Sequence, residues 1–106
     1  MRGLGGGMQN LMRQANQMQN KMKKLKDEFA SKTFTGSAGG GAVEVVVNGD
    51  YMIESMNIKP EVVESGPEMI VEMVQLATND AIKTAKDTYQ KEMDAVTKGM
   101  NIPGMT

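Results

Sequence analysis

The sequence predicts an α+β subunit of order α-β-β-β-α, in which two long projecting helices bracket a three-stranded antiparallel meander. Three observations predict it. An apolar seam with a 3.5-residue period runs through the first thirty residues, β-rich segments separated by glycine turns fill the middle, and helix-forming residues fill the last third. Both helices are longer than such a sheet, so each should extend past it and meet a second subunit or solvent.

The first helix rests on Leu4, Met8, Leu11, Ala15, Met18, Met22, Leu25 and Phe29, which alternate steps of four and three. That spacing is the seam of a helix packed along another helix. Gly3, Gly5, Gly6 and Gly7 make residues 1–7 a flexible glycine-rich segment, so the helix should start near Met8 and run to about Ala30. The glycine cluster is not a phosphate loop, because no Lys-Ser/Thr pair follows it and no strand precedes it.

Thr33, Phe34 and Thr35 open a first strand, and Gly39, Gly40 and Gly41 form a turn after it. Ala42 to Asn48 (AVEVVVN) is the clearest strand, with Val43, Val45 and Val47 on one face. Asn48-Gly49 signals a tight hairpin, and Tyr51 to Ile58 returns antiparallel. If Gly49 and Asp50 alone form the loop, Val47 faces Met52, Val46 faces Ile53 and Val43 faces Met56. The sequence leaves that register open.

Lys59-Pro60 ends the sheet, since the residue before proline is driven to extended geometry. Glu61 to Glu64 suits a short turn of helix. Pro67 at a first helical position, with Glu68 in the first turn, starts a helix that runs to Lys98. Ile70, Val74, Ala77, Ala81 and Ala85 form a narrow stripe of mostly small residues, which admits the close approach of another helix. The stripe continues less regularly through Tyr89, Met93, Val96 and Met100. Gly99 reads as the stop, and residues 100–106 as a loose tail.

At 106 residues, 4% of them aromatic and none Trp, residues 1–106 form a single domain with a modest core of its own. A partner subunit would add to that core. Leu11, Ala15, Met18, Met22 and Leu25, with Val43, Val45 and Val47, are the expected dimer and helix-packing residues. The absence of Cys and His removes disulfides, thiolate nucleophiles, imidazole bases and the usual zinc ligands. Glu61, Glu64, Glu68, Asp80 and Asp87 read as solvated charge, with no nucleophile or base beside them. The expectation is no enzyme, no cofactor, no metal and no small-molecule substrate. No apolar run approaches the ~20 residues of a membrane span, and Met1 to Gly7 is not a secretory signal. No membrane partner and a cytoplasmic location are therefore expected.

Net charge is −1, but it is unevenly placed. Residues 1–32 carry seven Lys or Arg against Asp27 and Glu28, a net of +5, while the remainder carries five against eleven acids, a net of −6. A basic segment on an acidic protein points to a polyanion-binding face. There is no helix-turn-helix signature, and no aromatic set of the kind that stacks single-stranded bases.

LMRQANQMQNKMKKLKDEF (Leu11 to Phe29), the glycine turn before AVEVVVNG (Ala42 to Gly49), the Ile58-Lys59-Pro60 step, ATNDAIKTA (Ala77 to Ala85) and GMNIPGM (Gly99 to Met105) occur in that order. Together they make the chain resemble the YbaB/EbfC family of small bacterial nucleoid-associated DNA-binding proteins. The resemblance implies a subunit that dimerises through its sheet, with helices projecting like the arms of tweezers and binding DNA. Carried over, the contacts on the first helix are Arg13, Lys21, Lys23, Lys24 and Lys26, with Gln17 and Asn20 as polar contacts. On the last helix they are Lys83, Lys86, Lys91 and Lys98, interleaved with Asp80, Asp87, Glu92 and Asp94.

The expected function is therefore a cytoplasmic, nucleoid-associated homodimer. It would bind double-stranded DNA mainly through phosphates and serve chromosome organisation and gene regulation. A second reading is a protein-interaction module, since Met8, Met12, Met18 and Met22 give the first helix an adaptable apolar face.

Overall fold

The computed structural model describes the backbone of residues 2–100 and the side chains of residues 7–98. Its elements are α1 (Arg2–Phe29), β1 (Thr33–Ala38), β2 (Val43–Asn48), β3 (Ile53–Ile58), α2 (Pro60–Glu64) and α3 (Pro67–Met100). The α-β-β-β-α order matches expectation, with α2 as the short turn after Lys59-Pro60. Of the tail expected over 100–106, Met100 belongs to α3 and residues 101–106 lie outside the described residues.

Both long helices exceed their expected bounds. α1 begins at Arg2 rather than near Met8, and α3 passes Gly99 to end at Met100. Glycine costs a helix about 1 kcal/mol per residue. Extending an existing helix still adds a hydrogen bond without a new nucleation cost, so glycine at an end is no obligatory stop.

The sheet has the order β1-β2-β3 and is antiparallel throughout. β1 and β2 pair from Thr33 opposite Asn48 to Ala38 opposite Val43. Between β2 and β3, Val43 faces Ile58, Val45 faces Met56, Val46 faces Ser55 and Val47 faces Ile53. This register differs by one to two residues from the one a Gly49-Asp50 loop would give, because the loop has three residues, Gly49 to Tyr51. The Asn48 N–H donates to the Met52 carbonyl at 2.9 Å, and the Tyr51 N–H donates to the Asn48 carbonyl at 3.0 Å. The Asn48 Oδ1 accepts from the N–H groups of Asp50 (2.9 Å) and Met52 (3.1 Å). Asn48 thus organises the loop with its side chain, and Tyr51 takes the left-handed position at φ 63°. A bulge follows, with Glu54 as the extra residue opposite Val46 and Val47.

Val43, Val45 and Val47 are fully buried against Ala77, Ala81 and Ala85 of α3, with Ala38 and Val62 at the edges of the same core. The small-residue stripe therefore receives the sheet, not another helix. Gly36 on β1 explains the difference: a Cβ there would overlap the backbone at Ala77 and Ala81. β1 is held at this crossing by its Ser37 N–H, which donates to Asp80 Oδ2 at 3.1 Å. α3 covers β1 and β2 but leaves most of β3 uncovered, so Ile53, Met56 and the preceding Met52 are exposed while Ile58 packs against the core. The helices span ~42 and ~51 Å at 1.5 Å per residue, and the molecule measures 76 × 23 × 16 Å.

Candidate nucleic-acid interface

α1 is anchored at its C-terminal end. Phe29, only 2% exposed, lies between the rings of Phe34 and Tyr89, with centroids 5.1 Å away on each side. Lys32, just beyond it, pairs with Glu92 of α3. Of the seam residues, Leu25 and Met18 are half-buried, whereas Met22, Ala15 and Leu11 are exposed. A single chain therefore covers only part of the seam. Leu11, Gln14, Ala15, Met18, Gln19 and Met22 line an open groove of about 350 Å³. Val43, Val45 and Val47, grouped with the seam as packing residues, lie inside the subunit core against Ala77, Ala81 and Ala85 of α3.

Opposite the seam lies the basic face. Arg13, Gln17, Asn20 and Lys24 follow one another by four, three and four residues, so at about 100° per residue they form one stripe. Lys21 and Lys23 flank it on either side, and all six are exposed. The Lys24–Glu28 pair is 4.0 Å long with side chains 76% and 62% exposed, a geometry worth well under about 1 kcal/mol in water. It leaves Lys24 free to exchange partners. Over its whole length α1 carries six basic residues against Asp27 and Glu28, a net of +4.

Lys26 belongs elsewhere. It projects nearer the seam and lines a cleft with Phe29, Gly49, Asp50, Tyr51 and Tyr89. Lys86 of α3 comes to the same corner, its Nζ 5.8 Å from the centroid of the Tyr51 ring. Lys83, Lys91 and Lys98 are exposed elsewhere on α3. With six acids against four lysines, α3 is net acidic, so the basic surface is concentrated on α1.

Phe29, Phe34, Tyr51 and Tyr89, all the aromatic residues of the chain, gather at one junction that no spacing along the chain announces. These residues sit at the end of α1, on β1, in the β2–β3 loop and on α3, and only tertiary packing brings them together. Their one sequence signal was scarcity, since so few rings must serve a single core or a single site.

A family model, the YbaB/EbfC DNA-binding family, matches residues 5–100, which take in α1, the whole sheet and α3. The chain belongs to the YbaB/EbfC DNA-binding family. Similar proteins include a nucleoid-associated protein of Clostridium kluyveri, 47% identical over 104 residues that cover 97% of this chain and 91% of that one. A nucleoid-associated protein of Pelotomaculum thermopropionicum is 41% identical over 103 residues, covering 96% and 98% respectively. The fold of this YbaB/EbfC chain is similar to the crystal structure of an uncharacterized Helicobacter pylori protein. That match has a TM-score of 0.61 and 22% identity, covering 73% of this chain and 90% of the other. It bears on the fold alone. Among the described residues no helix is long and apolar enough to cross a membrane.

Proposed function

We propose that this YbaB/EbfC chain acts in the nucleoid as a homodimer that binds duplex DNA chiefly through phosphates, contacted by the exposed stripe of α1. The observation that carries the reading is a helix of net charge +4 that projects from an acidic body, with basic side chains opposite its apolar seam. Arg13, Lys21, Lys23 and Lys24 meet phosphates, and Gln17 and Asn20 add hydrogen bonds. Lys26, Lys83, Lys86 and Lys91 lie off this stripe and contribute less. Binding of this kind is tolerant of sequence, which suits chromosome organisation and broad effects on gene expression.

The dimer reading is supported by β3, a sheet edge whose Ile53 and Met56 are 50% and 41% exposed. An apolar edge with unpaired backbone groups is a template for a second strand. The open part of the α1 seam supplies further surface. A gel-shift titration on mixed-sequence duplex at low and moderately high salt tests the reading. Steep weakening with salt supports it, and no shift at low salt by the folded protein rejects it.

A second reading, a protein-interaction module, draws on the methionine-lined groove of α1. Affinity capture after nuclease treatment separates the two. Partners lost with the DNA favour the first reading, and identified partners that persist favour the second.

A further inference from the structure

Phe29, Tyr51 and Tyr89 wall a cleft of about 290 Å³, with Lys26, Gly49 and Asp50 completing its lining. We propose that this cleft seats one unpaired nucleobase, stacked against Tyr51, with the attached phosphate drawn to Lys26 and Lys86. A base paired within a duplex has its faces covered, so the ligand is a single strand or a free nucleotide. This site is distinct from the α1 stripe and independent of the duplex reading.

The conformation of Tyr51 is the first argument. Among the described residues it is the one non-glycine with positive φ, at 63°. Glycine or asparagine suits that loop position without penalty, whereas a bulky residue there is strained. The ring is not buried in compensation, since Tyr51 remains 42% exposed. Folding alone gives little reason for such a choice, while presenting a half-open π-face to a ligand does.

The rest of the cleft is pre-organised. Tyr89 meets Phe29 edge-on at an interplanar angle of 67°. Gly49 seats the loop directly on the end of α1, where a Cβ would overlap the Phe29 carbonyl. Lys86 Nζ stands 5.8 Å from the centroid of the Tyr51 ring, within cation–π range. Aromatic rings beside lysines form the combination that binds single strands, with stacking from the rings and phosphate attraction from the cations. Asp50 on the lining adds a carboxylate able to accept from a base N–H.

The chain has no Trp and two Tyr, both of which line the cleft, so intrinsic tyrosine emission reports on this site. The experiment titrates the full chain with oligothymidylate, with an abasic strand of equal length, and with thymidine monophosphate. Anisotropy of labelled strands supplies the affinities. The base-bearing strand is expected to quench the tyrosines and to bind at least about tenfold more tightly than the abasic strand. Tyr51→Gly, which suits the backbone at that position, is expected to keep the melting temperature and lose the tenfold preference. Its binding to blunt duplex is expected to match that of the native chain. Quenching by the monophosphate would make the site a nucleotide pocket, whereas a response to the oligomer alone would assign it to strands. Equal binding of abasic and base-bearing strands would overturn the proposal, as would an undiminished preference in Tyr51→Gly. An equal loss of blunt-duplex binding in that variant would also overturn it, by placing Tyr51 on the general DNA face.

Discussion

Gly36 of β1 lies against the backbone at Ala77 of α3, with no room for a methyl group between them. This contact sets how closely the sheet approaches its helix, and it lets Val43, Val45 and Val47 reach full burial beside it. Gly36→Ala should force strand and helix apart. Overpacking of this kind costs about 1–3 kcal/mol, and backbone on both sides leaves no flexible side chain to yield. The upper part of that range corresponds to a fall in melting temperature of roughly 10 °C or more. A thermal melt within about 3 °C of the native chain would show that the contact relaxes easily.

Lys32 and Glu92 couple the start of β1 to α3 at the base of the α1 arm. Their side chains are 46% and 28% exposed, and Glu92 Oε2 is buried without a hydrogen-bond partner. The pair is therefore partly desolvated and incompletely satisfied. Lys32→Met alone should destabilise by about 1 kcal/mol, a value held down by solvent screening, because it strands the carboxylate. Adding Glu92→Leu should recover that loss, since apolar replacement of both members is often neutral. Denaturant midpoints for the double-mutant cycle test this. Additive losses would mean the two side chains act independently.

Elements governed by a single periodicity are legible in the sequence. The seam from Leu4 to Phe29 and the stripe from Ile70 to Ala85 identified both long helices, and the alternating valines located β2. The identity of a packing neighbour is not encoded in that way. Small residues on α3 announced a close approach, yet the approaching element is β1, because a glycine on a strand serves as well as one on a helix. The hairpin register depended on Asn48 Oδ1 accepting two backbone N–H groups, which a loop length does not encode. Of the candidate site, the basic charge of residues 1–32 was legible in the sequence, and the family resemblance pointed to Arg13, Gln17, Asn20 and Lys24 within it. The removal of Lys26 to the aromatic cleft was not legible, because that cleft exists only after three distant segments pack together.

The exposed face of β3 makes the proposed homodimer testable without disturbing the core. Ile53 and Met56 lack cover from α3, so a lysine at either position should leave the monomer folded while placing charge on the pairing edge. Ile53→Lys combined with Met56→Lys should sediment as a folded monomer at concentrations where the native chain is a dimer. A variant that remains dimeric with an unchanged sedimentation coefficient would move the interface off β3, leaving the open seam of α1 as the next surface to test.

The stripe itself predicts a salt dependence. Each lysine that neutralises a phosphate contributes about 0.9 to the slope of log affinity against log salt. Lys21→Gln, Lys23→Gln and Lys24→Gln together should lower the magnitude of that slope by about 3 for each bound α1 arm. Helical content should hold, because glutamine and lysine have similar helix propensity and all three positions are exposed. Lys83→Gln with Lys91→Gln should change the slope less, since α3 lysines stand among Asp80, Asp87 and Asp94 and bring weaker net attraction. The decisive measurement is affinity for one mixed-sequence duplex across a salt series, for both variants and the native chain. A slope unchanged in the α1 triple variant but reduced in the α3 variant would transfer the interface to α3.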